Sequence, residues 1–577
     1  MLNIEGVIVD IERVDDLPVI YGLLEKMGVQ VILDQAITPH GNWGGLSPGW
    51  VMTIWLMHIL SEHNHLMEPV EEWVGRHSYT LEQLTGQTIR KLDFADDRLG
   101  ICLKYLHEEE VWFAAEAEMG AHQIRVYSLP TERIRLDATV GTVGHDPSEH
   151  TIFKVGKAKN GFYETQFKIM MVTLDPLGLP LVVNVEPGNR ADDPLYTPAY
   201  LQMKEIVKQD GLLIIGDSKM SAVATRAGIV AGNDHYLVPL ADQKDAPELL
   251  DELLKPWQGR EKEASLLFFP DDLPADGSTP DPELAIGRGF EVSRPQTAVV
   301  DGKRIVWEER LLVIRSFAYV ESTIKRLHGR LDKAEAALLA LTPARQRGKK
   351  QITDEATLLS EIKKIEKKYR VQGLFTISYN KEVEERHVRK YKERPAHIER
   401  KVRYQLSVRR NQEAITAAEF KAGWRIYATN APLIKLSLND AVLAYRGQYV
   451  AENVFRRLGG KILSITPLHI QRDDHAQGLF HLLSIGARLL ALGDYQAKRV
   501  LAAEESSLTG IYKGNAKRET ATPTTERLLQ AFGQIDLLVI PGRMGISTYL
   551  SQLTVVQERI LDLLGLSRSL YTGLQTN

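Results

Sequence analysis

Cys102 is the single cysteine in a chain of 577 residues. Its isolation excludes an internal disulfide and any zinc site built on several thiolates, and it fits a reducing compartment. No uninterrupted apolar run reaches the roughly 18 residues of a membrane span. The best candidate, GLFHLLSIGARLLALG, carries His481 and Arg488. The acidic opening MLNIEGVIVDIERVDD has neither the basic start nor the apolar stretch of a secretion signal. No G-x-x-x-x-G-K-[ST] occurs, so a P-loop nucleotide cofactor has no support. His145 and His150 in the polar stretch HDPSEH lack the partner pattern of a zinc site. No internal repeat of solenoid length is present. These absences predict a cytoplasmic protein with no membrane and no nucleotide cofactor.

What is present is a hydrophobic content of 44% and a charged content of 25%, values of a folded globular chain. The length calls for roughly three or four domains. Net charge is −4, but the average hides an asymmetry. Residues 321–410 hold 24 Lys and Arg against 12 Asp and Glu, an excess of 12 positive charges. The rest of the chain therefore carries 16 negative ones. Such a segment fits either an anionic partner or a solvated helical arm.

Periodicity divides the chain into five parts. Residues 1–125 read as a helical domain, with Ser47–Pro48 opening the run LSPGWVMTIWLMHILSEHNH. Residues 126–240 alternate strands and helices: RIRLDATVGTV, QFKIMMVTLD and LPLVVNVEPG are β-rich, and DPLG joins the last two as a hairpin. A helix follows, then the strand LLIIGD, another helix and HYLVPL, which together describe a mixed α/β sheet. Residues 241–420 interrupt this pattern with a loop-rich stretch, further strands and long basic helices. Residues 421–500 resume it through GWRIYATNAP and the helical run SLNDAVLAYRGQYVAENVFRRLGG, and 501–577 read as helical.

Three carboxylates stand out. Asp137 lies within RIRLDATV and Asp217 ends the apolar run LLIIGD. In an open sheet ligands gather at the carboxyl ends of strands, so the two aspartates can share a site. Paired carboxylates repel unless a cation neutralises them, and magnesium accepts such hard oxygen donors. Asp217 equally suits a turn or a helix N-cap. Glu452, in AYRGQYVAENVFRRLGGK, would be the third ligand, or would simply pair with Arg456 one turn on.

The order LDATV, IIGDSKM, a long insertion and YRGQYVAENVFRRLGGK resembles bacterial insertion-sequence transposases of the DDE class. It is similar to the branch with a Y-(2)-R-(3)-E-(6)-K signature. Tyr445 and Glu452 fall at the signature's tyrosine and glutamate, while its arginine and lysine positions hold Gln448 and Gly459. EPGNRADD resembles the element between the two aspartates, and GLFHLLSIGARLL the helix after the glutamate.

The resemblance implies a ribonuclease-H-like α/β core interrupted by an insertion domain and preceded by a helical domain. It implies a DNA transposase that cuts at element ends and joins the freed 3′-hydroxyl to target DNA. Asp137, Asp217 and Glu452 would hold two Mg²⁺ or Mn²⁺ ions, about 4 Å apart. Tyr445, Arg446, Arg456, Arg457 and Lys461 would contact double-stranded DNA, and the chain would work as a homodimer on it. Trp307 in RIVWEERL would either stack on an extruded base or pack its own sheet. Two other readings remain open: a decayed DNA-binding protein derived from a transposase, and a structure-specific nuclease on the same fold.

Overall fold

The computed structural model describes residues 2–4, 7–158, 160–240, 246–343, 352–389, 395–542 and 545–575. Its strands are β1 (Leu2–Ile4), β2 (Val7–Arg13), β3 (Arg133–Thr142), β4 (Lys154–Lys157), β5 (Tyr163–Leu174), β6 (Leu179–Pro187), β7 (Leu213–Gly216) and β8 (His235–Pro239). The later ones are β9 (Ser265–Leu267), β10 (Gly287–Val300), β11 (Lys303–Ser316), β12 (Phe375–Val388), β13 (His397–Arg410), β14 (Trp424–Thr429), β15 (Asp536–Gly542) and β16 (Gly545–Leu550). Ten of them form one mixed sheet in the order β4-β5-β3-β7-β8-β14-β11-β10-β9, with β6 also on β5. Among the described residues only β3–β7 and β7–β8 run parallel.

The expected hairpin is β5–β6, and its turn ends at Gly178, whose φ of 70° suits a residue without Cβ. A Cβ there would also lie 2.9 Å from Val454, so this turn is pressed against the helix Tyr449–Leu458. GWRIYATNAP supplies β14, which inserts between β8 and β11. The segment 241–420 differs from the expected separate insertion. Its strands β9, β10 and β11 pair onward from β14 and continue the central sheet. The arm beyond β11 has a core of its own: helices Phe317–Leu339 and Glu355–Tyr369 bury Leu331 and Leu358 against Phe375 and Leu406 of the ribbon β12–β13.

The chain ends add strands to the parts expected to be mainly helical. β1 and β2 pair with β15 and β16 in a four-stranded antiparallel sheet, so the first and last segments close on each other. Between them the N-terminal helices pack around Trp55 and Trp73, both fully buried, and Cys102 lies in the same core. The helix Asp473–Ala503 is long and apolar enough to cross a membrane by length and composition, against expectation. Its most apolar window is 94% buried inside the protein, which makes it a core helix. Arg488 on this helix is fully buried and donates to Leu181 O at 3.0 Å and to Glu116 at 3.4 Å.

Candidate active site

Ile134 and Leu136 of β3 point into the core, which leaves Asp137 on the opposite side of the strand, half-buried. β3 and β7 run parallel with Leu136 opposite Gly216. Asp137 and Asp217 are therefore the next pair along two adjacent strands. The backbone at Asp217 is still extended (φ −78°, ψ −174°), and its side chain caps the short helix Ser218–Ser221 by accepting from Lys219 N at 2.9 Å. The N-cap and the strand-end readings of Asp217 are thus both realised in one residue. Tyr196, 1% exposed, donates its hydroxyl to Asp217 Oδ1 at 2.7 Å. Burial, with the charge of Asp217 next, pushes the Tyr196 phenol far up, so it stays a donor.

Glu452 lies in the first turn of the helix Tyr449–Leu458. Val450, Ala451, Val454 and Leu458 bury one face of this helix and leave Glu452 exposed on the other. Its carboxylate shares with Asp137 a hollow of about 520 Å³, walled by Phe167, Phe455 and Arg456. At the helix start, Gln448 Nε2 approaches Asp137 Oδ2 at 3.5 Å, while Gln448 Oε1 is buried without a protein partner. Arg135 sets this corner. It is 1% exposed, two residues before Asp137, and donates to Ala444 O at 2.6 Å and Asp175 at 3.1 Å. Gly447 permits the contact, since a Cβ there would lie 2.3 Å from the guanidinium. Sequence reading passed over Arg135, Tyr196 and Gln448's role because their partners lie 309, 21 and 311 residues away.

Of the residues expected to meet DNA, Arg446, Arg456 and Lys461 are exposed. Tyr445 is half-buried edge-on to Tyr427, with ring centres 4.7 Å apart. Its phenol is pushed up by burial first, then by Tyr427 and Asp217. Two expectations need correction. Arg457 is held inside by Asp494 (2.7 Å) and Glu526 (2.8 Å), so its charge is spent on the protein. Trp307 is 8% exposed and donates its indole N–H to Tyr236 at 2.9 Å, which leaves no ring face for a base. It borders a buried cluster in which Glu309 accepts from Tyr236, Arg226 and Arg294. His145 and His150 are buried against Phe153 rather than lying in an open polar loop, and His150 pairs with Asp473 at 2.7 Å.

The donor set suits a hard divalent cation in part. Asp137 within β3 and Asp217 just past the end of neighbouring β7 supply carboxylate oxygens, and Glu452 lines the same hollow as Asp137. Among the described residues, no three His, Cys, Asp or Glu side chains are gathered tightly enough to enclose an ion.

Residues 9–113 match a family described as a domain of unknown function (DUF4277). No curated protein matches the chain. The chain is similar to a solved structure described as a cryo-EM structure of the piggyBac transposase synaptic complex with hairpin DNA. Identity is 8%, with 89% of this chain and 78% of that one covered, at a TM-score of 0.34. A likeness this loose carries no inference about the site.

Proposed function

We propose that this chain is a divalent-metal-dependent DNA transposase of the DDE class, with Asp137, Asp217 and Glu452 as its metal-binding carboxylates. The observation that carries this reading is that Asp137 and Asp217 each follow directly on the paired residues Leu136 and Gly216 of the parallel strands β3 and β7. The fold gives further support: a central strand with an antiparallel meander on one side and two parallel strands on the other suits a ribonuclease-H-like core. The order of sequence motifs supports it independently. When bound, Mg²⁺ or Mn²⁺ would supply the charge neutralisation that phosphoryl transfer requires. The chain's own part is positioning. Tyr196 orients Asp217, Gln448 orients Asp137, and Arg135 holds the corner from which the helix carrying Glu452 departs. Arg446, Arg456 and Lys461 face solvent, as phosphate-binding cations must. The basic arm would extend that contact along double-stranded DNA, and two copies would assemble on a pair of element ends.

The test is a supercoiled-plasmid assay with cognate ends and Mg²⁺ or Mn²⁺. Cleavage followed by strand joining supports the proposal. Binding without cleavage points to a decayed DNA-binding protein, and cleavage without joining to a nuclease. Asp137→Ala, Asp217→Ala and Glu452→Ala should each abolish cleavage and spare DNA binding. Retained cleavage in any one of them removes that residue from the site.

A further inference from the structure

The hollow that Asp137 lines adjoins a second one along β3. The first, shared with Glu452, is described above; the second opens on the other side of the projecting end of β3. It has a volume of about 720 Å³ and shares Ala138, Thr139 and Val140 with the first. Lys219, two residues past Asp217, lies on its wall, as do Lys157 and Arg190. Lys168 and Arg190 are paired within the protein, to Asp192 and Glu186. Lys157 and Lys219 are exposed. At the rim, where β4 turns into β5, two consecutive aromatics stand in solvent: Phe162 is 70% exposed and Tyr163 76%. Tyr163 lines the hollow and is the register partner of Lys157. Large side chains this exposed bury little for the fold, and aromatics interleaved with lysines are what an unpaired polynucleotide selects.

We propose that this second hollow binds a single-stranded DNA segment on the side of the carboxylates away from Glu452. Bases stack on Phe162 and Tyr163, and backbone phosphates run along Lys157 and Lys219. The inference rests on the DNA-transposase reading for its choice of polynucleotide. It adds that unpaired bases are gripped beside the site, by residues outside the three carboxylates and outside the basic arm. Stacking accepts any base, so the grip is tolerant of sequence. Two lysines give it a modest dependence on salt.

The experiment uses the full chain and fluorescein-labelled duplexes that are either blunt or carry a short unpaired overhang, followed by anisotropy. A second set of duplexes carries 2-aminopurine in the overhang. The wild-type protein should prefer the overhang and quench the 2-aminopurine. Phe162→Ala/Tyr163→Ala should weaken overhang binding by about tenfold or more, abolish the quench and leave blunt-duplex affinity unchanged. Tyr163→Phe should behave as wild type. Lys157→Gln should flatten the salt dependence of overhang binding by about 0.7 in log–log slope. An unchanged overhang affinity in the double-alanine variant overturns the proposal, as does an equal loss on blunt duplex. Because every reading is of binding, a wild-type protein that grips overhangs but never cleaves would sink the transposase reading and leave this one standing.

Discussion

The buried hydroxyl of Tyr196 donates to Asp217 Oδ1 at 2.7 Å, from a helix that lies between the two aspartates in sequence but beneath the second in space. Tyr196→Phe removes that one donor and little volume. Asp217 keeps its bond from Lys219 N, so its carboxylate remains capped but can rotate. The expected outcome is a folded protein whose DNA cleavage needs several-fold more Mg²⁺, with DNA affinity unchanged. A hydrogen bond to a charged group contributes about 1.5–3 kcal/mol, which bounds the shift at roughly a hundredfold. Titration of cleavage against Mg²⁺ reads it directly, and an unmoved midpoint removes Tyr196 from any positioning role.

Arg135 makes a second, stronger prediction. Its guanidinium ties Asp175, at the turn of the β5–β6 hairpin, to Ala444 O, at the end of the helix before Gln448. Arg135→Ala would leave Asp175 buried with only Arg133 at 3.9 Å. Breaking a buried pair by removing one partner costs about 3–5 kcal/mol. Urea denaturation should show a loss of that order, and cleavage should fall further than stability alone explains. Both bonds leave the one nitrogen Nη2, so Arg135→Lys, whose ammonium can also donate twice, should recover much of the stability where its shorter reach allows.

The parts of this arrangement that were legible in sequence are those written in local patterns. RIRLDATV and LLIIGD announce strands because apolar residues alternate or cluster there, with Asp137 inside the first strand and Asp217 just past the second. Tyr449–Leu458 is legible because Val450, Ala451, Val454 and Leu458 recur at helical spacing. The sheet β1-β2-β15-β16 is not, since it pairs Arg13 with Asp536 across more than 500 residues, and the apolar run in each strand does not name its partner. Side-chain partners were equally hidden. Arg456 and Arg457 are neighbours of one type, yet one faces solvent and the other reaches Asp494 and Glu526, a choice made by helix rotation against a distant surface. Trp307 was ambiguous for the same reason: whether a strand tryptophan is covered depends on Tyr236, 71 residues away.

Where the chain ends meet, Asp16 predicts a pH dependence of stability. Burial raises its carboxyl to about 7, against the opposing donation from the Ser61 hydroxyl at 2.6 Å. The unfolded chain loses this proton near pH 4, about the ordinary value for Asp. Between those limits the folded state binds more protons than the unfolded one, so stability falls as pH rises from about 4 to about 7 and stays reduced above it. Asp16→Asn keeps the shape and removes the charge. It should flatten that fall and gain about 2 kcal/mol at pH 8, a discounted share of the full linkage. Urea denaturation at pH 5, 6, 7 and 8 tests it; parallel pH profiles for the two proteins would show that Asp16 titrates normally.

The adjacent arginines of the helix that carries Glu452 provide the sharpest contrast. Arg457 is neutralised by Asp494 and Glu526, while the exposed Arg456 donates to Asn453, one turn back on its own helix. A phosphate contact releases counterions, so losing one lowers the log–log salt slope of duplex binding by about 0.9. Arg456→Gln should show that reduction and weaken binding to all sequences alike, with thermal stability unchanged. Arg457→Gln should do the reverse. It leaves two carboxylates facing each other without their shared cation, so the protein should lose about 3 kcal/mol of stability or more. Its salt slope, measured at a temperature where it remains folded, should match wild type. If the slope falls in Arg457→Gln instead, the internal ion pairs open on DNA and Arg457 turns outward to a phosphate. That result would restore the residue to the DNA-contacting surface from which its burial now removes it.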